Sequence, residues 1–195
     1  MNIKPSTILT NLQRGNVKQE SPTFHRRTIH ELAAQGELYN IDRQLVNMGD
    51  SSNMTPLIWA ASYGQNSTVD YLIKSGADVN HKTVNGRTAL MFASSKGFFH
   101  VVKTLLAAGA FVDDLDDLGN SALMYAAHQD QASVVQELLK KGANMCLANQ
   151  SIQTAYSVAV SRESKAALAS LEAHMLALIK GPENNNRQWH QTVGQ

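Results

Sequence analysis

Four segments of this chain follow one template, and their opening residues, Thr55, Thr88, Ser121 and Thr154, stand thirty-three residues apart. In register they read Thr55-Pro56-Leu57-Ile58-Trp59-Ala60-Ala61, Thr88-Ala89-Leu90-Met91-Phe92-Ala93-Ser94, Ser121-Ala122-Leu123-Met124-Tyr125-Ala126-Ala127 and Thr154-Ala155-Tyr156-Ser157-Val158-Ala159-Val160. The first three continue to Gly76-Ala77, Gly109-Ala110 and Gly142-Ala143, at the same spacing. A unit this short cannot bury an apolar face alone. The period therefore demands a stack in which neighbours cover one another, not a single closed core.

Each segment opens on Thr or Ser, whose side-chain oxygen can accept from an orphan backbone N–H and start a helix. Pro56 sits at the first helical position, where its missing N–H costs little. The small pairs Ala60-Ala61, Ala93-Ser94 and Ala126-Ala127 let neighbouring helices approach. Gly64 and Gly97 suit a reversal that needs positive φ, and Asp130 holds that place in the third segment. Second helices follow, with Val69, Leu72 and Ile73; Val101, Val102, Leu105 and Leu106; and Val134, Val135, Leu138 and Leu139 on one face. The prediction is an all-α solenoid of about five helix-turn-helix units with short hairpin fingers, over residues 28–180.

The ends deviate. An earlier helix pair begins near Ile29-His30-Glu31-Leu32, but Ala33 precedes Ala60 by only twenty-seven residues, and the missing six are assigned to a trimmed finger. The last unit has Glu163 at the turn and runs into an alanine-rich helix from Ala166 to Ile179, as a terminal cap would. Residues 1–27 lack periodicity and read as a flexible arm; residues 181–195 read as a flexible tail in which Trp189 stands out.

This template resembles the ankyrin repeat. Ile29 to Glu37 and Thr55 to Ala60 are similar to the opening repeats of the group formed by regulatory factor X-associated ankyrin proteins and ankyrin repeat family A proteins. Leu9 to Asn16 is similar to a short motif ahead of those repeats, and Tyr125-Ala126 and Glu172-Ala173-His174 with Leu176 resemble later ones. Asp116-Asp117 departs from the group's aspartate-tryptophan pair, and the short first unit departs too. The resemblance implies a non-enzymatic adaptor for extended proline- and leucine-containing segments, acting in RNA polymerase II transcription as a subunit of a regulatory factor X-type complex. Its implied partners are a regulatory factor X-type transcription factor, a histone deacetylase or a receptor tail, in the nucleus and also the cytoplasm. A cytoplasmic scaffold for receptor tails or deacetylases and an ankyrin-type enzyme inhibitor are the alternatives.

A formal net charge of +1 is too small for a nucleic-acid footprint, so direct nucleic-acid binding is not expected. No apolar run approaches the roughly 20 residues of a spanning helix, so membrane insertion is not expected either. Cys146 is the only cysteine, which excludes an internal disulfide and fits a reducing compartment. The candidate partner-binding residues are Trp59, Phe92 and Tyr125, at one repeat position on the inner side of the first helices. Trp59 and Tyr125 carry a polar atom that wants a partner or water, which favours part exposure; Phe92 alone would read as core. Ser62 and Tyr63, Ser95 and Lys96, and His128 and Gln129, after the small pairs, complete the rim with Met54, Arg87 and Asn120, just before each cap. The histidines are scattered and no zinc spacing, nucleophile elbow or phosphate loop occurs, so neither catalysis, cofactor nor metal is expected. His30 reads as a hydrogen-bonded residue of the first helix, and Asp113, Asp114, Asp116 and Asp117 as a solvated acidic finger. Leu72, eight residues before Asn80 in Asp78-Val79-Asn80, resembles the pattern of the asparaginyl hydroxylase that acts on ankyrin repeats, which marks Asn80 as a hydroxylation candidate.

Overall fold

A capping hydroxyl starts every first helix. In the computed structural model, which describes residues 27–180, α1 (Ile29–Gln35), α2 (Pro56–Ser62), α4 (Ala89–Lys96), α6 (Ala122–His128) and α8 (Ala155–Ser161) follow Thr28, Thr55, Thr88, Ser121 and Thr154. Each of those hydroxyls accepts from the backbone N–H three residues on. The second helices are α3 (Asn66–Lys74), α5 (Phe99–Ala107), α7 (Ala132–Lys140) and α9 (Lys165–Lys180). No side chain caps α3, α5 or α7, so packing has to hold them. The chain reverses into them through left-handed residues at one register: Gly64 (φ 74), Gly97 (φ 75), Asp130 (φ 56) and Glu163 (φ 57).

First helices α2, α4, α6 and α8 lie side by side in one layer, and α3, α5, α7 and α9 form a second. Ala60, Ala61, Ala93, Ala126, Ala127 and Ala159 are fully buried between them, and the absence of larger side chains there allows the close approach. Leu72, Leu105, Leu138 and Leu171, thirty-three residues apart, are fully buried from the second layer. The sequence-predicted all-α solenoid is what the chain forms, with four complete helix pairs among the described residues and an incomplete first unit.

That first unit corrects one expectation. Its finger is intact, and the six missing residues come from its second helix, which is reduced to a turn over residues 43–47. Leu38 and Val46 are buried in place of the helix, and the Ile41 N–H donates to the Tyr71 hydroxyl on α3 at 3.0 Å. Arg27, assigned by sequence to the arm, is bonded to Gln35 and Glu37. The rest of the arm, the Leu9 to Asn16 motif and the tail with Trp189 lie outside the described residues.

The fingers contain almost no sheet: among the described residues there is one isolated bridge, Leu115 with Ser121. Side chains do the pairing. Asp50, Thr83, Asp116 and Asn149, at one register, each accept from the backbone N–H four residues on, at Met54, Arg87, Asn120 and Gln153. Asn47, Asn80 and Asp113 accept from the N–H groups of Asp78, Phe111 and Asn144 in the next unit. Asp116 is therefore not part of a solvated acidic finger as expected, but 8% exposed and bonded inward. Asp113 bridges units, and Asp114 pairs with Lys82.

Each finger tip turns on a left-handed residue, Asn53, Gly86, Gly119 and finally Ile152 at φ 60. A β-branched side chain is strained there, whereas asparagine tolerates that region, as Asn53 does in register. Ile152, 86% exposed, buries little in exchange. Ile152→Asn should raise stability by about 1 kcal/mol, read as a higher urea midpoint. Leu105→Ala, at a fully buried site, should lower it by about 2–5 kcal/mol, and Leu106→Ala, half-buried on the same turn, by distinctly less.

Candidate functional site

The site grows out of the fingers. Asp50 uses one carboxylate oxygen for its own turn, and its Oδ2 accepts the indole Nε1–H of Trp59 at 2.9 Å. Asp116 repeats this two units later, its Oδ2 accepting the Tyr125 hydroxyl at 2.6 Å. In each case the ring stands nine residues after the carboxylate, on the first helix that the finger precedes. The unit between has Thr83 and Phe92 at those positions, a shorter side chain and a ring with no polar atom. The polar tips of Trp59 and Tyr125 are thus satisfied within their own unit, and what remains available is the ring face.

These bonds also set the electrostatics. Burial pushes the Asp50 carboxyl up, but hydrogen bonds from the Met54 N–H, the Trp59 indole and the Ser52 N–H outweigh it, with His30 nearby, and hold it below the usual carboxylate range. Burial and the bond to Asp116 push the Tyr125 phenol up to about 12, against the opposing charge of Arg87.

The structure gathers the seven candidate residues into two clusters and leaves one apart. Trp59 and Tyr63 stack, with centroids 5.9 Å apart and planes 11° from parallel, and Tyr63 is 57% exposed. The Arg87 guanidinium lies over Phe92 at 4.0 Å and over Tyr125 of the next unit at 4.6 Å. A cation between two ring faces is attracted by both quadrupoles and braces the rings in return. Phe92 is half-buried, packed on the core below and on Arg87 above. Lys96 is exposed at the end of α4, outside both clusters.

Tyr125 and His128 also line a cavity of about 450 Å³ between α6, α8 and the adjoining fingers. Met124 and Val158 lend it apolar surface, and Asn120, Gln153 and Arg162 polar groups. The Arg162 Nε–H donates to His128 Nε2 at 2.7 Å, so the imidazole accepts there in its neutral form. Sequence reasoning missed Met124, Gln153, Val158 and Arg162 as lining residues, and Asp50 and Asp116 as anchors. The repeat register held the signal: Arg162 shares a position with Tyr63, Lys96 and Gln129, and Gln153 with Arg87 and Asn120. Among the described residues no cluster of three potential metal ligands occurs. No described helix is long and apolar enough to cross a membrane. His30 is hydrogen-bonded as expected, its Nε2 2.9 Å from the Met48 carbonyl. Asn80 spends both ends of its amide between fingers, donating to the Gly109 carbonyl at 3.2 Å and accepting from the Phe111 N–H at 2.9 Å.

Burial and then the charge of Arg162 hold the His128 imidazole below its ordinary value. The unfolded chain therefore binds that proton more readily, and the His128 contribution is full above about pH 6.5 and lost as pH falls through the folded value. Asp50 titrates in a separate window, below about pH 4. The urea midpoint should fall on acidification below about pH 6.5, and His128→Gln should flatten that part of the profile.

A family model described as ankyrin repeats in three copies matches residues 4–83 and again 80–149. The chain belongs to the ankyrin repeat family. It is 46% identical over 83 residues to the human DNA-binding protein RFXANK, a match covering 39% of this chain and 32% of that protein. It is 40% identical over 82 residues to human ankyrin repeat family A protein 2, covering 39% of this chain and 26% of that protein. Mouse RFXANK is 40% identical over 93 residues, with 35% of its length covered. The chain thus spans about a third or less of the curated relatives it matches.

Proposed function

We propose that this chain is a non-catalytic adaptor that holds an extended proline- and leucine-containing protein segment along its first-helix layer, as part of a regulatory factor X-type transcription complex in the nucleus. The observation that carries this reading is the succession of braced ring faces along the first helices: Trp59 on Tyr63, then Arg87 between Phe92 and Tyr125, then the cavity beyond Tyr125. Rings already held by their own finger carboxylates lose little freedom when a ligand covers them. A proline-bearing extended segment is itself preordered, so both partners enter with little entropy left to lose. The residue types are those that dominate interface energies. With a net charge of +1, this adaptor works through protein contacts and leaves base readout to its partners.

The similarity to ankyrin repeat family A protein 2 covers the same share of the chain and supports a second reading, a cytoplasmic scaffold for receptor tails or histone deacetylases. Affinity capture separates them. A regulatory factor X-type factor recovered from nuclear extract supports the first; receptor tails or deacetylases recovered from cytosol support the second.

Tyr63 is the informative substitution, because Trp59 and Tyr125 also satisfy Asp50 and Asp116 and cannot be removed without disturbing the fingers. Tyr63→Ala should weaken a labelled proline- and leucine-containing peptide by about 1–3 kcal/mol with helicity unchanged, measured by titration and circular dichroism. Unchanged affinity would place the ligand elsewhere. We further propose Asn80 as a hydroxylation acceptor, reached when its finger opens, since its amide is engaged at both ends in the closed fold. Mass spectrometry of the cellular protein should find one added oxygen on the peptide bearing Asn80; its absence counts against this site.

A further inference from the structure

We infer that the cavity between α6 and α8 selects for an acidic residue in the bound segment, whose carboxylate pairs with Arg162, making Arg162 a specificity-determining residue. This rests on the peptide-binding reading above and adds a charge requirement to it. Among the described residues none that lines the cavity is Asp or Glu, and Arg162 is the lining residue with a full positive charge. Its side chain is oriented but not neutralised: Nε–H is given to His128, which leaves four of the five guanidinium N–H groups for a ligand. Among the described residues no salt bridge involves Arg162.

The neighbouring carboxylates are mostly committed elsewhere. Asp116 binds the Tyr125 hydroxyl and its own finger, and Asp130 accepts from the Ala167 N–H at 2.8 Å. Glu163 adjoins Arg162 in a shallower depression and is an internal competitor. Met124 and Val158, both nearly buried, give the cavity an apolar wall beside the cation. Its complement is an apolar side chain next to a carboxylate. The register that holds Arg162 holds a second exposed cation, Lys96, two units back, and no acidic residue. Helices pack about 10 Å apart, so the two cations are roughly 20 Å apart, a span of about six extended residues. An acidic residue seated in the cavity is therefore beyond the reach of Lys96, and its pairing with Arg162 is read separately.

The test uses the full chain and a set of short proline- and leucine-containing peptides in which a single Gln is moved along the sequence and compared with Glu at each place. Anisotropy titrations should show Glu favoured over Gln by about three- to tenfold at one or two adjacent places, with the gain shrinking at high salt. Arg162→Gln should remove that gain, so that the Glu and Gln peptides bind alike. Arg162→Lys should keep part of it, and Glu163→Gln should enlarge it. Equal affinities for Glu and Gln at every place, or a gain that survives Arg162→Gln, would overturn the inference while the adaptor reading stands. A parallel fall for both peptides in Arg162→Gln would also overturn it, because Arg162 would then support the groove rather than read charge. Failure of every peptide to bind would remove both readings. Displacement of the acidic peptide by a single-stranded oligonucleotide at equal concentration would reassign Arg162 to phosphate and overturn this one.

Discussion

A unit of thirty-three residues has to bring its chain from the end of one helix pair to the start of the next with almost no strand pairing to satisfy the backbone, and one side chain at the head of each finger meets that constraint. Asp50, Thr83, Asp116 and Asn149 each accept the N–H four residues on. That bond fixes where the following cap residue lies, and the cap fixes where the helix starts. Finger, cap and helix are thus linked in sequence, and a polar group left open at the head of the finger would cost about 1–3 kcal/mol wherever water is excluded.

The same residue decides what the face of the first-helix layer is made of. A carboxylate has a second oxygen, and at Asp50 and Asp116 it takes the polar tip of the ring nine residues on. Thr83 has no second acceptor, and its unit carries Phe92. Asn149 turns its amide toward Asn120 and Gln153, and the corresponding Val158 is buried. The face therefore changes from ring to aliphatic along the stack as the finger residue changes. Arg87 joins two units, since its guanidinium rests on Phe92 of its own unit and Tyr125 of the next. Stability and the proposed recognition share these contacts. Removing a ring here disturbs a finger, and Tyr63, which has no such second duty among the described contacts, is the place where the two separate.

The periodic part of the fold was legible in the sequence because repetition compounds weak signals. A single Thr before an apolar run says little; four caps in register, with small pairs and turn residues in step, leave few alternatives. The first unit escaped because it occurs once. A deficit of six residues has no internal address, and only the register of Asn47 and Asp50 with the later fingers places it in the second helix. Asp116 was misjudged for a related reason: four aspartates in a short stretch look solvated by composition, whereas the repeat position of each one decides its role. Trp59 and Tyr125 were identified as needing a polar partner, but that partner was sought in a ligand or water rather than in their own fingers. The cavity was legible only in part: Ser95, Asn120, Tyr125, His128 and Gln129 stood among the expected groove and rim residues, whereas Gln153, Val158 and Arg162 come from the next unit, thirty-three positions beyond Asn120, Tyr125 and Gln129.

Linear stacking has a consequence for how such a face acquires specificity. Each unit contributes one residue to each row, and a row is read by a ligand that crosses the units in order. In the row of Tyr63, Lys96, Gln129 and Arg162 no position supports a finger through the bonds that hold Trp59 and Tyr125. Those positions are therefore freer to vary than the row behind them, which its carboxylates and rings constrain. Arg162 lies at the far end of that freer row, in the unit whose aromatic has been replaced by a buried valine. Where the ring is lost, the cavity opens, and Arg162 at its edge is the group by which the proposed adaptor would distinguish one segment from another.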